Sequence, residues 1–413
     1  MTLWNPIWRV TINGVQYTEF VLANFTSQSG RTNIYEQAQA GYCNLSLYNV
    51  TQAQVYININ DSVTIELKDS TGTFVPIFGG NVVDLAVEVA EAGNIGMTQI
   101  ISITALGALA KLPKALTNGV LSKAHDGTQI LAILTDLLIN NWSEVPPSLT
   151  WATYPPTEDW AHAQNVGLGE IDTPGEYELT SRTSNRTDVY SLVSALATSG
   201  LGYIYEDGLG RISYADALHR STYLATNGYT DVSANQALAS GIKIQTRAGD
   251  VRNEVTIEYK NNDKVTATDA NSQATFGILA QQISTTLENT VDATYQANFY
   301  LGLRSYPQPM MQSITFELTN PELDDADRDA LINIFMGLPI RISDLPLNMT
   351  SGTYAGFVEG FQFSAGYNTI SVTALLSPLS YSLQAMAWED VSALERWNTI
   401  TSTLEWQDAI VVA

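Results

Sequence analysis

The sequence predicts a mainly β protein with α+β insertions: two similar small β-barrel or sandwich domains plus two inserted α/β domains. Three observations lead to this reading. Short runs that alternate with a period of two, separated by turn residues, fill the first hundred residues and return after residue 250. One run, Ile101-Ser102-Ile103-Thr104-Ala105-Leu106, recurs as Ile370-Ser371-Val372-Thr373-Ala374-Leu375. Apolar spacing of helical type falls mostly between these β regions.

Taken in order, Trp8 to Ile12 alternates and turns at Asn13-Gly14, a hairpin signal. Tyr42 to Asn49 places Cys43, Leu45 and Leu47 on one face, and Val63 to Leu67, Val82 to Val89 and Ile100 to Thr104 follow as strands. Asp126 with Gln129 reads as a capping box ahead of Ile130, Ile133, Leu134, Leu137 and Leu138. Residues 145–156 carry four prolines and read as a loop. A second helix is expected from Thr187, stopped by Gly200, and then a hairpin around Gly208-Leu209-Gly210. Asn253 to Tyr259 is a strand, a third helix covers about residues 285–303, and Pro307 and Pro309 bar its continuation. Asp324, Asp325, Asp327 and Asp329 suit the first turns of a fourth helix ending at Gly337. The last strands are Ser313 to Leu318, Pro339 to Ser343, Phe357 to Phe363 and Thr369 to Leu375.

The domain boundaries follow: a first β domain at 1–112, a helical and loop insertion at 113–180, a small α+β domain at 181–245, a second β domain with helices at 246–383, and a tryptophan-bearing arm at 384–413. The repeat extends beyond the six-residue match. Val63-Thr64-Ile65 aligns with Ile340-Arg341-Ile342, Gly79 with Gly356, and Leu45 to Asn49 with Phe316 to Asn320, all in the same order. Ile/Val/Thr-rich strands can match by chance, but order and spacing agree as well as composition. Three copies of a chain carrying two such domains would present six similar surfaces.

Composition excludes several function classes. Of 413 residues only 15% are charged, and 19 Lys and Arg against 42 Asp and Glu leave a net charge of −23. Phosphate backbones and anionic membranes are gripped by Lys and Arg, so specific nucleic-acid binding and membrane docking are disfavoured. One cysteine, Cys43, excludes a disulfide framework and a cysteine-cluster zinc site. No signal peptide is evident at Met1 to Pro6, and no apolar run is long enough to span a bilayer as a helix.

Catalytic signatures are missing. His125, His162 and His219 lie far apart, in no metal-binding spacing. Cys43 sits on a strand face as core, without a paired histidine. Glu158 and Asp159 beside Trp160, with Trp151 and Tyr154 near, could contact a sugar, although two adjacent acids normally point apart and a solvated loop is the favoured reading. No catalytic, cofactor-binding or metal residue is assigned, and no cofactor is expected. Trp388, Trp397 and Trp406 recur every nine residues, about half a turn out of phase on a helix. They read as partner-binding anchors of an arm, or as packing against the chain's own surface.

The order of these segments resembles that of bacteriophage tail-tip and baseplate hub proteins, the minor tail and tail-associated proteins. The resemblance is carried by Trp8 to Gly14, Gly30-Arg31-Thr32, Gly41 to Asn49, Phe78 to Asp84, the helix from 187 into Glu206 to Ile212, and Asn253 to Tyr259 followed by Ser272 to Gly277. It implies a non-enzymatic homotrimer at the distal end of the virion tail, a pseudo-six-fold ring joining the tail tube or distal tail protein to a central fibre or spike. Genomic DNA would pass through without specific binding, which an acidic chain suits, although solubility alone also favours acid. The alternatives are a hexameric distal tail ring protein and a receptor- or glycan-binding adhesin of the tip.

Overall fold

Period-two alternation does become strands. A computed structural model describes residues 4–379 except 19, 52, 92–97, 140–167, 239–241, 243, 261, 351 and 367–368. It is mainly β, with several sheets. The first hundred residues supply β1 (Trp8–Ile12), β2 (Val21–Gly30), β3 (Gln39–Asn49), β4 (Ser62–Lys68), β5 (Phe74–Glu91) and β6 (Thr98–Leu106). The turn after β1 uses positive φ at Asn13 (49°) and Gly14 (75°), as the Asn-Gly pair predicts.

The insertions carry α1 (Asp126–Ile139), β7 (Leu168–Ile171), α2 (Val189–Ser199), β8 (Tyr203–Glu206), β9 (Ile212–Ala215), α3 (His219–Asn227), β10 (Thr230–Ser233) and β11 (Ile244–Thr246). A separate three-stranded sheet, β12 (Glu254–Tyr259), β13 (Asp263–Thr268) and β14 (Ala280–Ser284), is backed by α4 (Thr290–Arg304). Then come β15 (Pro309–Met311), β16 (Ser313–Glu317), α5 (Asp325–Ile332), β17 (Pro339–Ser343), β18 (Tyr354–Ala365) and β19 (Ile370–Pro378). No helix among the described residues is long and apolar enough to cross a membrane.

The repeat reappears as register. Leu45 pairs with Ile103, and Phe316 pairs with Val372. These are the residues the sequence match equates, so β3–β6 and β16–β19 are the same pairing built twice. Val63 faces Gly80 and Ile340 faces Gly356, so Gly80 rather than its neighbour Gly79 holds the place of Gly356. The one-residue slip follows from β-bulges, which add a residue to one strand only.

The two halves are not separate bodies. The second half of β18 pairs antiparallel with β2, Gly360 opposite Gly30 through Ala365 opposite Phe25. One sheet therefore runs β16-β19-β18-β2-β3-β6-β5 across both repeats. Its inner face is one core: Ile103, Leu45, Phe25, Ala365 and Ile370 form a row, all buried. A second core gathers α1, α2, β8 and β9 with Val255, Ile257, Ala293 and Ala297. Residues 254–304, which the sequence places with the second β domain, pack there instead, because the buried face of β12 meets α4. Conversely β10, from the segment assigned to the small α+β domain, pairs parallel with β17.

Several helix boundaries differ from expectation for identifiable reasons. Asp188, not Thr187, caps α2 by accepting from the Ser191 N–H at 2.7 Å. Residues 285–289 form a connector tied to Ser199 and Thr180, so α4 starts at Thr290. Asp324 caps α5, which ends at Ile332 with Asn333 as its C-terminal cap, and the buried Ile334 and Met336 follow ahead of Gly337. Asp126 and Gln129 form no capping box. The Asp126 carboxylate accepts from the Tyr177 N–H and the Tyr214 hydroxyl, and Gln129 donates to the carbonyls of Ser122 and Thr180.

Candidate functional surface

The outer face of the shared sheet spans both repeats. Residues opposite one another in antiparallel strands point to the same side. The register therefore aligns Asp84, Thr104, Asn44, Thr26, Ser364, Ser371 and Glu317 in one row across both repeats. A second row runs Tyr42, Gln28, Gln362, Thr373 and Thr315. Neighbours are knit by hydroxyl and amide contacts: Thr104 Oγ1 donates to Asn44 Oδ1 at 2.9 Å, and the Thr315 and Thr373 hydroxyls lie 2.8 Å apart. No Lys or Arg stands on either row. Hydroxyls and amides with carboxylates at the margins offer a phosphate backbone no ion pair.

Behind this face, both repeats and the insertion meet at a buried ionic junction. Glu359 is the residue that a bulge in β18, between Val358 and Gly360, leaves out of the β19 ladder. Its carboxylate accepts from Arg31 Nε at 2.7 Å, from both terminal nitrogens of Arg220 at 2.7 and 3.0 Å, and from the Ser377 hydroxyl. Arg31 follows β2, Arg220 lies in α3, and Tyr203 of β8 has both guanidinium carbons over its ring at 5.2 and 4.5 Å. All these residues are buried. Burial alone would push the Glu359 carboxyl up, but Arg220 and Arg31 outweigh it and hold the group below the ordinary range. Burial lowers Arg31, whereas Glu359 outweighs burial at Arg220 and raises it. Close backbone approach completes the junction. Gly30 has φ +91°, and a Cβ there would stand 2.4 Å from the Glu359 carbonyl oxygen.

A second carboxylate, that of the half-buried Glu206 at the end of β8, accepts from the N–H groups of Gly41 and Leu109, joining the insertion to β3. Burial raises it to about 7, against the lowering effect of those two bonds.

The fold also gathers Glu170, Asp172 and His219, whose ligand-type atoms lie within 4.8 Å of one another. His219 Nδ1 is 2.8 Å from Asp172 Oδ2, which also accepts from the Asp216 N–H. Burial pulls the imidazole down, but the bond to Asp172 and its charge outweigh burial and raise it. The sequence signals nothing here, since 47 residues separate the pair. His125 is exposed on a short strand, and Cys43 is wholly buried, its thiol pushed up by burial, as a core role requires. Trp388, Trp397 and Trp406 lie outside the described residues, as do His162 and the cluster of Trp151, Tyr154, Glu158, Asp159 and Trp160.

No family model matches the sequence, and no curated protein is similar to it. Solved structures are. A tail protein from Neisseria meningitidis MC58 superposes with a TM-score of 0.56 at 10% identity, covering 92% of this chain and 99% of that one. The 43 kDa tail protein of prophage MuSo2 from Shewanella oneidensis gives 0.50 at 13% identity, over 91% and 99%. The chain has the fold of phage tail proteins.

Proposed function

We propose that this chain is the structural, non-enzymatic hub at the distal tip of a phage tail. Three copies would form a pseudo-six-fold ring between the tail tube and a central fibre or spike, with the outer face of the shared sheet as the wall of the DNA conduit. The observation that carries this reading is the paired register: β3–β6 and β16–β19 are one pairing used twice, and β2–β18 joins the two into one continuous sheet. A chain so built supplies two neighbouring sixths of a ring. The absence of Lys and Arg from both outer rows supports the conduit assignment, because a wall without cations does not pair with passing phosphates. Trp388, Trp397 and Trp406 would anchor the arm in the fibre or spike, and a chain lacking 384–413 should then still assemble but fail to recruit that partner.

The copy number tests the proposal. Native mass measurement of the purified chain and cryo-EM of the particle should show three copies around the tube axis. Six copies would favour a hexameric ring protein instead and remove the need for the doubled module.

A further inference from the structure

The two repeats differ in one respect that bears on how copies join. In the second repeat, β18 is flanked on one edge by β19 and on the other first by β17 and then by β2. In the first repeat, β5 is flanked by β6 and, on the other edge, by β4 only as far as Asn81. Two backbone bonds, between Val82 and residues 60 and 61, end that contact. The same pair of bonds ends the β17 contact at Val358. Among the described residues no strand occupies the β5 edge from Asp84 onward, where β18 receives β2.

The side chains report the same vacancy. On β18, the inward residues Phe363 and Ala365 are 0% and 5% exposed. On β5 the residues in the same places are Leu85, half-buried, and Val87, which faces inward beside the buried Ile101 yet is 48% exposed; Val89 beyond them is 53% exposed. A long unpaired edge with uncovered apolar residues is a template for another strand.

The missing strand has a counterpart in the chain. β2 reaches β18 while pairing with β3, Phe25 opposite Leu45. The residue opposite Phe316, the counterpart of Leu45, is Ala237, and the Leu238 N–H donates to the Thr315 carbonyl at 2.8 Å. Ala237 and Leu238 thus stand beside β16 as Phe25 and Thr26 of β2 stand beside β3. Leu238 is itself 41% exposed. Within one chain this segment cannot serve its own β5, which lies at the far end of the sheet.

The geometry points to strand addition between copies: the edge of β5 at Val87 and Ala86 of one copy pairs with Ala237 and Leu238 of the next, repeating between chains the β2–β18 joint found within each. This rests on the ring reading above and names its contact. Each copy offers one edge and receives one, so the contact is head to tail and closes only as a ring.

Cysteine pairs test it. Directly opposed strand residues have Cα atoms about 4.5–5.5 Å apart, within disulfide reach. Ala237→Cys should cross-link to Val87→Cys or to Val89→Cys, which share its inward face, and not to Glu88→Cys, which faces out. The native Cys43 is buried and does not compete. Non-reducing gels should show a ladder ending at the covalent trimer. If native mass still gives three copies while neither valine position cross-links, the edge pairing is wrong and the trimer stands. A ladder reaching six keeps the edge pairing and overturns the trimer. A chain that remains a monomer without cross-links overturns both.

Discussion

Replacing Glu359 with Gln removes one negative charge from between two buried guanidiniums while keeping the side-chain shape. Arg31 and Arg220 then share a buried site without the carboxylate that both contact at 2.7 Å. Breaking a buried pair by removing one partner costs about 3–5 kcal/mol, because the surviving charge stays desolvated. At roughly 2 °C per kcal/mol, the value for large domains, the melting temperature should fall by about 6–10 °C. Arg31→Met should cost less, because Arg220 still neutralises the carboxylate through two bonds. In the Glu359→Gln background Arg31→Met should recover part of the loss by relieving guanidinium repulsion, so the double variant should be milder than the sum by more than about 1 kcal/mol. Denaturant titration of the four proteins, followed by near-ultraviolet circular dichroism, measures the cycle. If Glu359→Gln unfolds within about 1 kcal/mol of the parent, or the two changes simply add, the junction does not hold the three parts together as argued.

Two more outcomes follow from the same physics. Glu206 is raised to about 7 and Asp126 to about 6, each chiefly by burial, so the folded chain holds these protons more tightly than the unfolded one. Their contribution is full below the ordinary carboxyl pKa values and is lost as pH rises through the folded values; Glu359, held low, works in reverse, its contribution full above the ordinary value and lost toward acid. Unfolding midpoints between pH 4 and 8 should show Glu206→Gln flattening the fall that ends near pH 7, and curves parallel to the parent would refute this. Gly30→Ala forces a Cβ to 2.4 Å from a carbonyl at a positive φ and should cost about 2 kcal/mol or more. Gly249→Ala, with nothing within 4 Å, should stay within about 0.5 kcal/mol in the same thermal melts.

What could be read in advance was whatever repeats locally. Ile101 to Leu106 and Ile370 to Leu375 announce themselves because a half-buried strand must alternate, and the faces of α1 and α2 because a helix must present Ile130, Ile133 and Leu134, or Val189, Leu192, Val193 and Leu196, to one side. The joint between the repeats was not legible. Ser27, Ser29 and Gly30 carry no apolar signal, and nothing in their spacing points to a partner more than 300 residues on. The ionic junction is hidden for the same reason, since 139 and 328 residues separate Glu359 from its arginines. Thr187 resembles a cap as well as Asp188 does, and only the fold shows which side chain reaches Ser191.

The common core of the repeats has a consequence for how such a gene can vary. Phe25 from the first half and Ala365 from the second lie face to face in the interior, and Phe363 sits opposite Ser27. Neither half could be excised, exchanged or inherited alone without baring the other's interior. Once fused in this way, the twin modules are free to drift apart in outline but must keep step along that single seam.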